Sequence, residues 1–560
     1  MENSLPRKLW KIKNKDTSRS IIDILLENRN LPTNHMEPFR LTDRMHKPEL
    51  LPDMEKGVQR ILQAINNNEK IVIFGDYDVD GVTSTSLMLF FFKAINYPVQ
   101  YIVPHREKDG YGLRNSGVDR VNAMAAKLII TVDNGISAND AIDYASSLGI
   151  DVVVTDHHLQ EGELPNACAV INPNRTDSTY PFKAICGVTV AFKVAWVLGQ
   201  RLMSEDEYKK FLLSHLDLVA IGTIADVMPI RDENYALVKF GLKVLSNTKK
   251  PGLIELKKIS GVRTNIITPI TVGYFLAPRL NASGRMDDAS LSVDLLVEES
   301  SMHAKTLAQE LDALNKERQM LQRDYLENAT KDIKASFEDD QKIIIVENEE
   351  WQAGLIGLVS GRLKEEFCCP ALAFTRDGDG NFVGSARSIE ALHVTEALTV
   401  FNQYFLNYGG HHKAAGLTIP AEHFSIFKEE FTSYVNKKLA GADLTPELDI
   451  DSVVEIDQIN ERVADKIQEV GPFGETNPEP VLLLKNGTVR DVRIMSEGRH
   501  IKFYIQKANI MFECLWWSGG IYKDSLRLGS NCDVVFRMNI NVFQGTPRLQ
   551  LTVEDVQINN

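Results

Sequence analysis

Short apolar runs alternate with helix-length segments between about residues 54 and 160 of the chain. The run IVIF (Ile71 to Phe74) lies between a helical pattern from Met54 and a buried helical pattern, GVTSTSLMLFFFKAI. Three more apolar runs follow, VQYIV, LIITVD and DVVVTD, with a helix from about Ala138 between the last two. Continuous apolar strands separated by helices are typical of a parallel sheet covered on both faces. The pattern therefore predicts an α/β fold with a doubly wound parallel sheet.

The second half of the chain changes pattern twice. From His303 to about Ile333 it predicts a long polar helix with a narrow apolar stripe, which suits a connector between two domains. A second α/β unit begins at the strand KIIIVEN, and from about Leu448 five short strands with Gly and Asn turns predict a small β-barrel. The predicted segments are an N-terminal extension (1–50), an α/β domain (51–300), a connecting helix (301–340), a second α/β domain (341–445) and a barrel (446–560).

The composition is that of an ordinary globular protein, with 44% apolar and 25% charged residues in a chain of 560. No apolar run is long enough to span a membrane, and the first residues, MENSLPRKLWKIK, lack the apolar core of a signal peptide. The six cysteines form no CxxC pair, which argues against a zinc knuckle or a disulfide framework. We therefore expect a cytoplasmic monomer without membrane attachment.

The charge is unevenly distributed along the chain. The net charge of −14 argues against a protein that coats nucleic acid nonspecifically. Residues 481–560 differ in sign from the rest, because they carry ten Lys and Arg against seven Asp and Glu. A local basic groove in the barrel is compatible with both observations.

Three aspartates alternate in GDYDVDG, directly after the strand IVIF. An EF-hand loop begins in the same way, but the twelfth position from Asp76 is Leu87 where a Glu is required, and a strand precedes the triplet in place of a helix. The calcium interpretation therefore fails. Other acidic and histidine residues follow predicted strands or an apolar helix, namely Asp133, Asp156, His157, His158 and Asp226.

These side chains predict a metal site at one edge of the sheet. Ligands of open parallel sheets bind outside the carboxyl ends of the strands, where the side chains would meet. Gathered carboxylates repel one another, and bound divalent metal resolves the repulsion. Asp and His together suit Mn²⁺ or Mg²⁺. For any single Asp the alternative is an N-cap of the following helix, but capping explains neither the triplet nor the His pair.

Several motifs resemble those of the DHH phosphoesterase superfamily. VVVTDHH resembles its signature, GDYDVDGVTST and ITVDNGIS resemble its first two motifs, and GTIADVMPI is similar to the fourth. APRLNASGRM and NYGGHHKAAGL are similar to elements of the RecJ branch, a family of single-strand-specific 5′→3′ DNA exonucleases. The resemblance extends from about residue 70 to the C-terminus. It implies a DHH catalytic domain, a DHHA1-like second α/β domain and an OB-fold barrel.

The resemblance also implies a catalytic centre with two metal ions, Mn²⁺ or Mg²⁺. The implied ligands are Asp78 for one ion, Asp80, His157 and Asp226 for the other, and Asp133 as the bridge between them. Asp76, the outermost of the triplet, is a further candidate ligand. His158 would face the scissile phosphate as a catalytic residue.

Two stretches offer candidate contacts along the substrate path. In GGHHKAAG, Gly410 and His411 are candidates because paired glycines let backbone N–H groups approach an anion, and the alternative is a tight turn into a helix. In PHREKDGYGLR, His105, Arg106 and Tyr111 could line the path, with Tyr111 stacking on a base. The alternative there is a solvent loop with one packed aromatic residue.

Two other stretches offer candidate phosphate contacts. In GSARS, Ser385 and Arg387 match the 5′-phosphate pocket of RecJ-like proteins, although a surface Arg by itself is usually only solvated. In PRLNASGR, Arg279 and Asn281 are further candidates, because the Arg fork suits phosphate oxygens. Arg285 is either another contact or an internal salt-bridge partner.

The barrel combines positive charge with aromatic residues, as single-strand binding requires. The aromatic candidates are Phe503, Tyr504, Trp516, Trp517 and Phe543. Adjacent Trp516 and Trp517 should point to opposite faces, one of them into the core. The stretch GPFGETNPEP is similar to a linker of the family that usually reads PFGxGNP. Glu475 stands at the variable position of that pattern, and Thr476 stands where the pattern has its second Gly.

The leading hypothesis is a metal-dependent 5′→3′ exonuclease that degrades single-stranded DNA to mononucleotides in DNA repair and recombination. Single-strand-binding protein and a helicase are its candidate protein partners. One alternative is a DHH-family hydrolase of short oligoribonucleotides or cyclic dinucleotides. Another is a catalytically dead relative that serves as a scaffold, which should lack several of the ligands retained here.

Overall fold

The computed structural model describes residues 8–106, 109–160, 162–262, 266–336, 341–496, 498–543 and 546–559. The N-terminal segment contains strand β1 (Leu9–Ile12), helix α1 (Ile21–Asn28) and two 3₁₀ turns (Leu41–Arg44 and Pro48–Leu50). The sequence predicted only an irregular extension here. Strand β1 and helix α1 form because they pack against the C-terminal part of the chain, as described below.

Five parallel strands form the sheet of the first α/β domain, in the order β3-β2-β4-β5-β6. Their bounds are β2 (Ile71–Phe74), β3 (Gln100–Ile102), β4 (Leu128–Val132), β5 (Asp151–Thr155) and β6 (Ala169–Ile171). The first four confirm the prediction, and β6 was not predicted. Alternate residues of β2 enter different cores, Ile71 and Ile73 on one face and Val72 and Phe74 on the other. Both faces of the sheet are therefore covered, as the continuous apolar runs indicated.

Helices surround this sheet and extend the domain to residue 297. Their bounds are α2 (Met54–Asn66), α3 (Val79–Ala94), α4 (Asn115–Ala123), α5 (Asn139–Ser147), α6 (Gly187–Leu202), α7 (Glu205–Ser214), α8 (Leu216–Ala225), α9 (Asp232–Ser246), α10 (Pro251–Ile259), α11 (Pro269–Thr271), α12 (Ala277–Met286) and α13 (Ser290–Val297). A π-helical turn, Val272–Leu276, joins α11 to α12. Helices α6 and α8 both pack on α3, which brings their ends to the strand edge that carries the aspartates.

Helix α14 (Ser301–Ser336) is the predicted connector. Its first half packs on α10 and α12 of the first domain, and its second half joins the core of the next. Leu307 and Leu311 of the apolar stripe are buried, which confirms the helical spacing. No helix in the described part of the chain combines the length and the apolar character needed to cross a bilayer.

The second α/β domain is a mixed sheet in the order β10-β11-β9-β8-β7. Its strands are β7 (Ile344–Glu347), β8 (Ala371–Arg376), β9 (Phe382–Arg387), β10 (Asn407–Gly410) and β11 (Ala414–Ile419). Only β7 and β8 are parallel. The accompanying helices are α15 (Ala353–Phe367), α16 (Val394–Thr399) and α17 (Ala421–Lys438).

The C-terminal part is a closed five-stranded barrel, as predicted. The elements are β12 (Glu447–Ile450), β13 (Ser452–Val454), α18 (Glu461–Val470) and the barrel strands β14 (Leu482–Met495), β15 (His500–Lys507), β16 (Ile510–Trp516), β17 (Asn531–Phe543) and β18 (Thr546–Asn559). The barrel closes because β14 pairs with both β15 and β17, while β16 pairs with β18.

The N-terminal segment is built into this barrel domain. Strand β1 pairs with β12 in parallel, and Trp10 Nε1 donates a 2.8 Å hydrogen bond to Asp555. Arg29 forms a buried ion pair of 2.9 Å with Asp451. Residues 9–29 therefore pack as part of the C-terminal domain, whereas the sequence assigned them only to an N-terminal extension.

Candidate metal centre and substrate cleft

The predicted metal ligands converge at the carboxyl edge of the parallel sheet. The aspartate triplet follows β2, Asp133 follows β4, and Asp156 to His158 follow β5. Their ligand atoms form three overlapping groups, each with atoms within 4.8 Å of one another. The groups are Asp76, Asp78 and Asp133; Asp80, His157 and Asp226; and Asp133, His157 and His158. The structure thus brings together every residue that the sequence proposed for the metals.

Two aspartates of the triplet are held by different helices. Asp78 caps α3, because its Oδ1 accepts a 3.0 Å hydrogen bond from the Gly81 N–H. The capping alternative is therefore right for this one residue. Asp80 instead receives hydrogen bonds from the first turn of α6, from Gly187 N–H at 2.5 Å and Val188 N–H at 2.8 Å. A Cβ on Gly81 would lie 2.5 Å from the Asp76 carbonyl oxygen, so only glycine lets α3 begin this close to the strand.

Burial and mutual repulsion raise the pKa values of these carboxyl groups. Burial, then the charge of Asp78, raises the pKa of Asp80 to about 7. The pKa of Asp133 is raised well above its usual range by burial and by Asp80, and that of Asp226 by the same two causes. Burial lowers the pKa of His157 to about 3, so its imidazole is neutral and able to bind metal.

Several buried polar atoms of this cluster lack a hydrogen-bond partner within the described residues. They are Asp76 Oδ1, Asp133 Oδ1, His157 Nε2 and Asp226 Oδ2. Buried polar atoms are normally satisfied, and a group of unsatisfied oxygens around one nitrogen is explained by a cation. The donor set, carboxylates with a neutral His, fits Mn²⁺ or Mg²⁺.

His158 lies beside the ligand cluster and is held by two neighbours. Its Nδ1 is 2.7 Å from Asp156 Oδ1, and its ring is 3.2 Å from the Tyr111 hydroxyl. Burial disfavours the imidazolium, but the hydrogen bond and charge of Asp156 outweigh it and raise the pKa of His158 to about 9. Asp156 also accepts from the Ile136 N–H at 2.9 Å. The sequence placed Asp156 among the acidic residues at this edge of the sheet but assigned it no role, although its position before the His pair was a signal.

Tyr111 therefore lies at the site, in agreement with the interpretation of its loop as part of the substrate path. Its ring is 45% exposed and meets the rings of Tyr77 and His158 edge-on. Arg106 of the same loop lies over the Tyr77 ring at 5.2 Å. Residues 107 and 108 of this loop lie outside the described part of the chain.

A basic cluster adjoins the aspartates on the side of the second α/β domain. Arg387 donates to the Ser385 hydroxyl at 3.1 Å, and Arg285 donates to the Gly354 carbonyl at 3.1 Å. Burial and the charges of Arg106, Arg318 and Arg387 lower the pKa of Arg285 to about 10. The cluster thus gathers several guanidinium groups, which suits a doubly charged phosphate.

The structure corrects the prediction for the PRLNASGR segment. Arg279 pairs with Asp312 of α14 at 2.8 Å and donates to the Phe275 carbonyl, so its guanidinium is already engaged inside the protein. Asn281 accepts from the Val79 N–H at 3.2 Å and so supports the start of α3. Arg285, for which two roles were open, is the arginine that joins the basic cluster.

A cleft of about 920 Å³ opens from His158 toward the second domain. Tyr111, Asp156 and His158 line one side, and Gly410 and His411 line the other. Gly410 and His411 lie at the end of β10, with the His411 N–H donating to the Ala414 carbonyl at 2.7 Å. The two α/β domains therefore face each other across the cleft.

The barrel presents one tryptophan and buries the other, as predicted. Trp516 is 5% exposed and stacks on Tyr522, whereas Trp517 is 54% exposed beside His500. Phe503 is fully buried. The side chain of Phe543 lies outside the described part of the structure.

Comparisons with known proteins agree with this architecture. The family model described as DHH family, N-terminal domain matches residues 70–223, the DHHA1 domain matches 340–437, and the RecJ OB domain matches 450–555. The chain is 36% identical over 515 residues to the single-stranded-DNA-specific exonuclease RecJ of Bacillus subtilis, covering 92% of this chain and 64% of that protein. It is 34% identical to the RecJ of Salmonella typhimurium, covering 90% of both chains.

Solved structures are similar over nearly the whole chain. RecJ from Thermus thermophilus in complex with Mn²⁺ superposes with a TM-score of 0.82 at 26% identity, covering 99% of this chain and 80% of that one. The same protein in complex with Mg²⁺ gives a TM-score of 0.77 at 25% identity, with 99% and 79% covered.

Proposed function

Because this chain belongs to the RecJ family, we propose that it is a single-stranded-DNA-specific exonuclease that uses two divalent ions, Mn²⁺ or Mg²⁺. The observation that carries the proposal is the buried cluster of unsatisfied carboxylates around His157, which adjoins the cleft at His158 and the basic cluster at Arg285. Every ligand position of the DHH motifs is filled, which argues against a catalytically dead scaffold.

The ligand cluster can be divided between two ions. Asp76, Asp78 and Asp133 would hold one, and Asp80, His157 and Asp226 the other, with Asp133 close enough to contribute to both. Held by these residues, two ions would supply an activated water and would stabilise the attacking and leaving oxygens of an in-line phosphodiester displacement.

The protein's own groups position the phosphate. His158, oriented by the 2.7 Å contact of its Nδ1 with Asp156, presents its ring to the cleft where the scissile phosphate would lie. Gly410 and His411 close the opposite side of the cleft.

We propose that the basic cluster selects the 5′ end. Arg285 and Arg387, with Ser385, would bind a terminal phosphate by charge-assisted hydrogen bonds. A terminal phosphate fixed beside the metal ligands places the first internal phosphodiester at the metals. Cleavage there releases a 5′-mononucleotide, and repetition proceeds 5′→3′.

We place this activity in DNA repair and recombination, with single-strand-binding protein and a helicase as candidate partners. The resemblance of the motifs supports that placement. The six free cysteines support a reducing, cytoplasmic setting. One chain supplies all the proposed ligands of the cluster, which supports a monomer as the active form.

The test is a nuclease assay on a single-stranded oligonucleotide of several tens of bases, labelled at either end, with Mn²⁺ or with EDTA. We expect early release of a labelled mononucleotide from the 5′ end only, and only with metal. A duplex of the same sequence should be resistant. An intact long strand, with a dinucleotide cleaved in parallel, would instead support the small-substrate hydrolase.

A further inference from the structure

Two glycines lie directly behind the carboxylates of the metal cluster. Gly187 is the first residue of α6, and a Cβ built on it would lie 2.6 Å from Oδ1 of Asp133. Gly222 lies within α8, and a Cβ built on it would lie 2.6 Å from Cγ1 of Val188, 2.7 Å from the Thr83 hydroxyl and 2.8 Å from Oδ1 of Asp80. Real Cβ atoms do not approach other heavy atoms within 3.0 Å, so a side chain at Gly187 would displace Asp133, and one at Gly222 would displace Asp80 together with Val188 and Thr83.

Backbone conformation does not explain these glycines. Neither Gly187 nor Gly222 has a positive φ, so both positions are open to L residues on backbone grounds. Gly222 lies inside a helix, where alanine is favoured over glycine. The requirement for glycine therefore comes from occupied space, which Asp133 fills beside Gly187 and which Asp80, Thr83 and Val188 fill beside Gly222.

Gly187 has a second contact with the cluster. Its N–H and that of Val188 each donate to one oxygen of Asp80, at 2.5 and 2.8 Å. The first turn of α6 thus fixes the orientation of Asp80 and limits the position of Asp133. Helix α8 packs against Asp80 through Gly222, and Asp226 directly follows the last residue of this helix.

We propose that Gly187 and Gly222 are positioning residues that set the distance between Asp80 and Asp133, and hence the spacing of the two metal ions. This inference rests on the metal-binding part of the proposed function. It assigns a role in metal affinity to two residues that cannot themselves bind metal through a side chain.

The test compares the variants Gly187→Ala and Gly222→Ala with Gly361→Ala in the full-length protein. Gly361 lies in α15, and a Cβ there meets nothing within 4 Å, so it is a matched helical control. Mn²⁺ binding is measured by titration with electron paramagnetic resonance of the free ion, and the metal-free unfolding temperature is measured in parallel. Groups that orient ligands typically change metal affinity by about 10–100-fold, which is the loss expected for both cluster variants and not for Gly361→Ala.

A double-mutant comparison separates positioning from folding. Asp133→Gly removes the side chain that faces Gly187, and glycine suits the positive φ of 65° at that position. Gly187→Ala should lower the unfolding temperature of the wild type and have little effect in the Asp133→Gly background, because the collision is gone. An equal loss in both backgrounds would show that Gly187 serves α6 packing alone, and would overturn the inference.

The outcomes also separate this inference from the function on which it rests. A wild type that binds no Mn²⁺ would refute the proposed metal site itself. A wild type that binds Mn²⁺, with Gly187→Ala and Gly222→Ala binding it equally well, would overturn only the positioning role.

Discussion

The Nε2 atom of His157 lies 3.2 Å from Oδ1 of Asp133, and neither atom has a hydrogen-bond partner within the described residues. Both groups are almost fully buried, and Asp133 belongs to two of the three ligand groups. A pair of unsatisfied ligand atoms at this distance fits two residues that bind the same metal ion. Asp133 is therefore the most informative single residue to change.

We predict that Asp133→Asn abolishes the nuclease activity. The amide keeps the shape of the side chain but removes its charge. The transition state then loses several kcal/mol of stabilisation, which corresponds to a loss of about a thousandfold or more in kcat. Mn²⁺ binding should weaken in parallel. Asp151→Asn, at the opposite end of β5, removes an exposed carboxylate from the same sheet and should leave activity unchanged. Substantial turnover by Asp133→Asn would refute the ligand assignment.

We predict that Arg387→Gln reduces the preference for a 5′-phosphorylated end. A charge-assisted hydrogen bond contributes about 1.5–3 kcal/mol, so the ratio of kcat/KM for 5′-phosphate over 5′-hydroxyl substrates should fall about 10- to 100-fold. Arg376→Gln is the matched control, because Arg376 lies on neighbouring β8 and pairs with Glu349. An unchanged ratio in Arg387→Gln would show that the terminal phosphate binds elsewhere.

We predict that Trp517→Ala weakens binding of long single strands without changing cleavage of short ones. Stacking of one base on an aromatic ring contributes about 1–3 kcal/mol, so the Kd of a strand long enough to reach the barrel should rise at least about fivefold. The measurement is fluorescence anisotropy with strands of increasing length. Leu528→Ala removes another exposed apolar side chain of the barrel domain and should have no effect.

We predict that Thr476→Gly stabilises the protein. Thr476 has a φ of 62° in a tight turn closed by hydrogen bonds between Gly474 and Asn477, and this conformation disfavours a β-branched residue. The gain should be about 1 kcal/mol in denaturant unfolding, the cost of a left-handed L residue. Glu475→Gly, at a residue of the same turn without a positive φ, should instead destabilise it.

We predict that His35 makes the protein sensitive to mild acid. The side chain is 3% exposed beside Tyr235, and burial, then the charge of Arg44, lowers its pKa to about 4. The unfolded state, in which the pKa is 6.5, binds a proton that the folded state does not. Stability is therefore present above pH 6.5 and falls as the pH decreases toward 4.

The check is denaturant unfolding of His35→Phe and wild type from about pH 7 to about pH 4. The variant should lose less stability over this window because its ring cannot take up a proton. His303→Gln removes an exposed histidine of α14 and should keep the wild-type pH profile. Parallel profiles of His35→Phe and wild type would contradict the prediction.

The elements and the chemistry of the ligand cluster could be predicted from the amino-acid pattern. The strands β2, β4 and β5 were evident because both faces of a parallel sheet are buried and each strand is therefore continuously apolar. The ligands were evident because the carboxyl ends of parallel strands share one edge, so Asp78, Asp133 and His157 had to meet. This part of the site depends on sequence order along a regular sheet.

The choice of the arginine that reaches the phosphate side depends on tertiary packing. Arg279 and Arg285 are both on α12, but their spacing does not match whole turns of 3.6 residues, so they lie on different faces of the helix. The packing of α12 against α14 turns Arg279 to Asp312 and leaves Arg285 at the basic cluster. The helical pattern alone cannot say which face meets the site.

Contacts between distant parts of the chain also depend on tertiary packing. Strand β1 pairs with β12 from the far end of the sequence, and the first turn of α6 holds Asp80 through backbone N–H groups. Neither contact could be predicted from the local hydrophobic pattern, because both are backbone hydrogen bonds that form only when distant parts of the chain pack together. The order of residues along the chain thus specified which groups gather at the carboxyl edge of the sheet, and the packing of helices on the sheet specified how those groups are held.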